Sequence, residues 1–178
     1  MKVLLAIAIP LLISCSTLKE QDEKGAFSPR VNFTVTSFSR VPEIKGTYRA
    51  AYDENDTDLV RSMGKVEKFL QSMGLQKKGG GPVDHFVKAG FETKSPLGGL
   101  SVGFINPWHH TMTLRGFSGD KLQWETKVTG PSEHERREEV MPWLLTAAKP
   151  WFGKNTKKPE TVSLTKRDPA LREFQDGE

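Results

Sequence analysis

The chain has 178 residues, with 26 Lys and Arg against 22 Asp and Glu, a formal charge of +4 and a single cysteine. Once an apolar leader, the polar stretch after it and a polar C-terminal tail are set aside, about 120 residues remain, enough for one compact domain and few for two. Mixed signs along the chain give no basic stripe for nucleic acid, and the lone cysteine leaves the folded region without a disulfide, a thiolate metal ligand or a thiol nucleophile.

Met1 and Lys2 make a short positive start, and residues 3–13 are apolar apart from Pro10, the layout of a secretory signal peptide. The run is shorter than the roughly 17 to 25 apolar residues that a spanning helix needs. It ends in Leu12-Ile13-Ser14-Cys15, which resembles the lipobox of bacterial lipoproteins. The resemblance implies that residues 1–14 are cut away and that the Cys15 thiol carries a diacylglycerol, with a further acyl chain such as palmitate on the new amine. An ordinary signal peptide with a chance cysteine is the alternative. Each buried methylene contributes about 0.8 kcal/mol, so several long chains give lasting attachment to a membrane. Ser16 in place of Asp resembles the sorting pattern of outer-membrane lipoproteins and implies, in a Gram-negative cell, the periplasmic side of that membrane.

Residues 15–30 are rich in Ser, Lys, Glu, Gln, Asp and Gly and read as a flexible tether with an r.m.s. reach of roughly 20 Å. Val31, Phe33 and Val35 alternate with Asn32, Thr34 and Thr36 as in a half-buried strand, and a weaker strand is expected over 47–52. A helix is expected over 57–73, where Leu59, Met63, Val66, Leu70 and Met73 share one face, Asp56 or Thr57 caps the start and Gly74 stops the end. Gly79-Gly80-Gly81 has neither the preceding strand nor the Lys-Ser or Lys-Thr pair of a phosphate loop, and reads as a turn into a strand over 83–93. Residues 95–103 read as a glycine-rich loop or short strand.

His110, Met112 and Leu114 alternate with polar residues, and after Ser118-Gly119-Asp120 so do Leu122, Trp124, Thr126 and Val128, which predicts a β-hairpin. Ser132 and Glu135 have the spacing of a capping box for a helix that runs through Val140, Leu144, Leu145 and Ala148 and is kinked by Pro142. Residues 31–153 then form the domain, and 154–178, polar and charged, are expected to be a mobile tail. The expected class is α+β: a single mixed, largely antiparallel sheet of four or five strands with two helices on one face, the strands flanking the first helix being candidates for parallel neighbours.

Over 31–152 the sequence resembles an uncharacterised family of bacterial envelope lipoproteins defined by a domain of unknown function. The resemblance rests on Ser72-Met73-Gly74-Leu75, on Thr113-Leu114, and on Gly119-Asp120-Lys121-Leu122-Gln123-Trp124. Tyr52-Asp53 departs from the family pattern at the end of the second strand, as does Pro142. The resemblance implies no catalytic residues.

His109 and His110 adjoin, but neighbours on a strand point to opposite faces, and a shared metal would need a bulge. His85 and His134 could join them only through tertiary contact, and no spacing fits a zinc pattern. No cofactor is implied, and no serine stands in a nucleophile elbow. Glu133, Glu135, Glu138 and Glu139 with Arg136 and Arg137 read as a solvated first turn, with a paired-carboxylate hydrolase as the sharper alternative. Trp108, Trp143 and Trp151 raise sugar stacking, whereas Trp124 is expected in the core. The composite expectation is a non-enzymatic envelope module that binds a partner protein, a glycan or a lipid; a hydrolase of an envelope polymer is the alternative.

Overall fold

A computed structural model describes residues 29–52, 56–96 and 107–175. Cys15, the expected signal peptide, nearly all of the expected tether and most of 95–103 lie outside them. In chain order the elements are β1 (Val31–Ser39), β2 (Gly46–Ala51), α1 (Thr57–Ser72), β3 (Leu75–Lys77), β4 (His85–Lys94), β5 (Trp108–Ser118), β6 (Lys121–Ser132), α2 (Arg137–Ala148) and β7 (Glu160–Leu164), with short 3-10 turns at Lys149–Trp151 and Pro169–Glu173.

The strands build one mixed sheet ordered β3-β2-β4-β5-β6-β1-β7. The class is α+β, but among the described residues the sheet has seven strands, so the expectation of four or five is corrected. Two strands escaped the sequence reading. β3 is three residues long, too short to display a period of two, yet it pairs parallel with β2 from Gly46↔Leu75 to Tyr48↔Lys77. The strands flanking α1 are therefore parallel neighbours. β7 lies in the segment expected to be a mobile tail, and pairs antiparallel with β1 from Val31↔Leu164 to Val35↔Glu160.

That tail is a structural part of the domain through Gln175, so the expected boundary at 153 is also corrected. Its large apolar residues Leu164, Leu171 and Phe174 are buried, and Val162 packs partly buried against the core. Polar groups do the rest of the fastening. Where β7 stops, the Asn155 carboxamide and the Thr156 hydroxyl accept from the Ser39 and Ser37 amides at 2.8 and 3.0 Å, continuing the edge of β1 with side chains. Lys149 donates to both carboxylate oxygens of Glu173 at 2.7 and 2.6 Å. Low hydrophobicity was a poor guide because edge pairing uses main-chain groups that every sequence carries.

Alternation along β1, β5 and β6 leaves one sheet face covered and the other open. The helices pack against each other, and Met63, Val66, Phe69 and Leu70 of α1 join Val140, Met141, Leu144 and Leu145 of α2 in a single core. Gly74 takes a φ of 91° just past α1, as a left-handed stop requires. Trp124 is fully buried, edge-on to Phe152 at 4.9 Å. Its indole crosses β5 at its register partner Gly116, where a Cβ would lie 2.0 Å from Cε2.

The capping box is not formed. Ser132 is the last residue of β6, its hydroxyl accepts from the His134 amide at 3.0 Å, and α2 begins only at Arg137 without a side-chain cap. The four residues between strand and helix turn across the end of the sheet, and they carry part of the site described next.

Candidate functional site

A cleft of about 300 Å³ opens where β1 and β6 meet the first turns of α2. Trp143, Val140, Val31 and Phe33 form its apolar side. Trp143 lies one helical turn beyond Glu139, so the helix period sets both at the cleft, and its half-buried ring stacks on Phe33 with centroids 6.1 Å apart and planes at 29°.

The polar side comes from three separate segments: Glu133 and His134 from the turn, Glu139 from α2, and Lys166 with Gln175 from the chain after β7. His134 Nδ1 lies 2.7 Å from Glu139, and Lys166 Nζ lies 3.8 Å from Glu133. All four side chains are a third or more exposed, and an exposed ion pair such as Lys166 with Glu133 contributes about 0 to 1 kcal/mol. A ligand can therefore take these groups from one another at small cost.

The turn that carries Glu133 and His134 is pinned from below by His110, which is fully buried. His110 Nε2 donates to the His134 carbonyl at 2.8 Å. With that nitrogen protonated, Nδ1 of the neutral ring accepts from the Thr93 hydroxyl at 3.2 Å. The Thr93 oxygen accepts in turn from Arg137 Nε at 3.4 Å, and Arg137 pairs with Asp56 just before α1. Burial is the main force pulling His110 below the ordinary imidazole range; the bond to the His134 carbonyl opposes it, and the nearby Arg137 adds to the lowering. The chain Asp56, Arg137, Thr93, His110, His134 thus ties the starts of both helices to β4 and β5 beside the cleft.

The other residues singled out in the sequence are dispersed. His109 is exposed on the open sheet face, opposite to His110 as strand geometry requires. His85 sits at the start of β4 and donates through Nε2 to the Lys45 carbonyl at 3.1 Å, edge-on to Trp124. Its other nitrogen and the Tyr48 hydroxyl are buried without a hydrogen-bond partner among the described residues. Burial and Glu67 push the Tyr48 phenol up to about 12, so it stays protonated. Among the described residues no three His, Cys, Asp or Glu side chains stand close enough to hold a metal. Trp151 packs partly buried against the core and Trp108 opens β5; of the four tryptophans, Trp143 is the one lining the cleft.

The acidic and basic run 133–139 is only partly the solvated turn expected. Arg136 and Glu138 make a loose local pair at 4.0 Å, but Glu133, Glu139 and Arg137 reach Lys166, His134 and Asp56. Lys166 and Thr93 had no signal in the sequence, and Phe33 showed only as the buried side of a strand, because their places at the site arise only when distant segments meet.

No protein-family model matches the chain, and no curated protein is similar to it. Among solved structures it is similar to a PDZ domain protein from Parabacteroides distasonis, with a TM-score of 0.53 and 13% identity over 76% of this chain. The chain spans 39% of that protein's length, and the likeness is one of fold. A looser likeness, with a TM-score of 0.47 and 12% identity, links 71% of this chain to 99% of the chain in the PelC dodecamer from Paraburkholderia phytofirmans.

Proposed function

We propose that the chain is a membrane-anchored bacterial envelope lipoprotein, held by acyl chains on Cys15, whose domain is a non-enzymatic binding module facing the periplasm. The observation that carries the binding reading is the cleft itself, with an aromatic wall on one side and weakly paired charged groups on the other. Such an arrangement of apolar lining with a few convergent polar groups is what small-ligand sites have in common. The lipobox-like Leu12-Ile13-Ser14-Cys15 supports the anchor. In this reading the tether keeps the domain within reach of the membrane, and the cleft, adjoining the start of β1 where the tether ends, is presented near that surface.

Cell fractionation and intact-mass measurement test the anchor. The wild type should carry acyl mass and follow the membranes, and Cys15→Ala should lose both; a wild type with no acyl mass would remove the anchor from the proposal.

One observation favours a second reading. Two carboxylates, Glu133 and Glu139, share the cleft with His134, which is the inventory of an acid–base hydrolase of an envelope polymer. Release of new reducing or amino ends from purified envelope polymer, lost in Glu139→Gln, would establish this enzyme reading in place of the binding module.

A further inference from the structure

The shape and chemistry of the cleft narrow its ligand. We infer that it takes an uncharged oligosaccharide, with a pyranose ring stacked on Trp143 and hydroxyls donated to Glu139 and Glu133; this rests on the reading of the cleft as the binding site. A pyranose has two kinds of surface: axial C–H bonds make its faces apolar, and hydroxyls make its edge polar. The cleft is divided in the same way, with Trp143, Phe33 and Val140 on one side and Glu133, Glu139, Lys166 and Gln175 on the other.

Both carboxylates are acceptors only, and hydroxyl-to-carboxylate bonds are among the stronger neutral-ligand contacts available to a protein. The Lys166 ammonium and the Gln175 amide supply donors for the hydroxyl and ring oxygens. The Lys166 ammonium offsets one of the two carboxylates, which leaves no large excess of either sign, so the site does not select an ion. An acyl chain would leave the polar side desolvated without partners, which disfavours lipid. A folded protein partner buries roughly 800 Å² on each side, which calls for a broad face rather than a recessed cleft of this kind. Trp143 is also held in place before any ligand arrives, because Phe33 backs its ring. A preorganised platform loses little freedom on binding.

The test is a calorimetric titration of the full lipidated chain in a zwitterionic detergent with three neutral probes: cellotriose, maltotriose and triacetylchitotriose. At least one should give a saturable change. Loss of the stacked ring in Trp143→Ala should weaken it by about tenfold, the equivalent of about 1.4 kcal/mol. Glu139→Gln, which keeps the side-chain shape and is to be used once its thermal midpoint is shown to match the wild type, should weaken it as well. No saturable response to any of the three, or one that persists unchanged in both variants, overturns the inference. If oligolysine binds in their place with the same dependence on Trp143, the saccharide is overturned while the cleft stands as a binding site.

Discussion

A Cβ on Gly130 would fall 2.1 Å from Cδ1 of Phe33, so the phenyl ring rests on bare backbone of β6. Phe33 in turn backs Trp143, and through it a glycine on the sheet sets the position of the cleft wall. Gly130→Ala should force Phe33 off its seat and destabilise the domain by about 1 to 3 kcal/mol, as overpacked cores do. Denaturant melts followed by tryptophan emission read both the stability and the wall. A midpoint equal to wild type would show that the ring yields freely.

The same device operates at Gly116 under Trp124, where the larger ring is fully enclosed. Trp124→Ala should cost roughly 3 to 5 kcal/mol, the range for large aromatic deletions in cores. Because the indole touches Phe152 and the His85 ring as well, Trp124→Phe should recover part of that loss. Equal midpoints for wild type and Trp124→Ala would contradict its place in the core.

His110 makes stability depend on pH in one direction. Its folded-state pKa is lowered, chiefly by burial, whereas in the unfolded chain the ring titrates near pH 6.5. As pH falls below that value the unfolded chain takes up a proton that the folded chain resists, so stability falls, and the fall ends only below the folded-state pKa. Above the unfolded pKa the residue adds no slope. Denaturant midpoints taken from about pH 7.5 down to about pH 5.5 should decline more steeply for the wild type than for His110→Gln, which does not titrate. Parallel declines would show that His110 is protonated alike in both states.

The segment after Gly153 should be indispensable to the fold. A chain ending at Gly153 loses β7, the side-chain edge made by Asn155 and Thr156, and the buried Leu164, Leu171 and Phe174. Each large aliphatic or aromatic side chain contributes roughly 1.5 to 3 kcal/mol when fully buried, against a total stability of about 5 to 15 kcal/mol. The shortened chain should therefore be unfolded or aggregated by circular dichroism and size-exclusion chromatography. A cooperative melt near that of the full chain would mean that the tail is an appendage.

Period was legible wherever an element ran for two turns or more with one face buried. The β1 alternation, the α1 stripe of Met63, Val66 and Leu70, and the β5–β6 hairpin all appear where spacing placed them. β3 and β7 were not legible, one for shortness and the other because Glu160, Thr161 and Ser163 dilute its two apolar residues. Ser132 and Glu135 show how a local motif is overridden: pairing of Ser132 with Trp108 extends β6 over the expected cap. Half of the cleft was visible as a sequence neighbourhood, since Glu133, His134, Glu139 and Trp143 lie within three helical turns. Val31, Phe33, Lys166 and Gln175 arrive from the two ends of the domain, brought there by the pairing of β1 with β6 and of β7 with β1.

The most direct test of the binding module is complementation of the envelope defect in cells that lack the protein, using Trp143→Ala and Glu139→Gln at confirmed normal abundance and with normal membrane fractionation. Abundance has to be matched because a destabilised variant would imitate a lost site. Both variants should fail to restore the wild-type envelope, while His109→Ala, on the open face and not among the residues lining the cleft, should restore it fully. Full restoration by both cleft variants would contradict the assignment of function to this cleft.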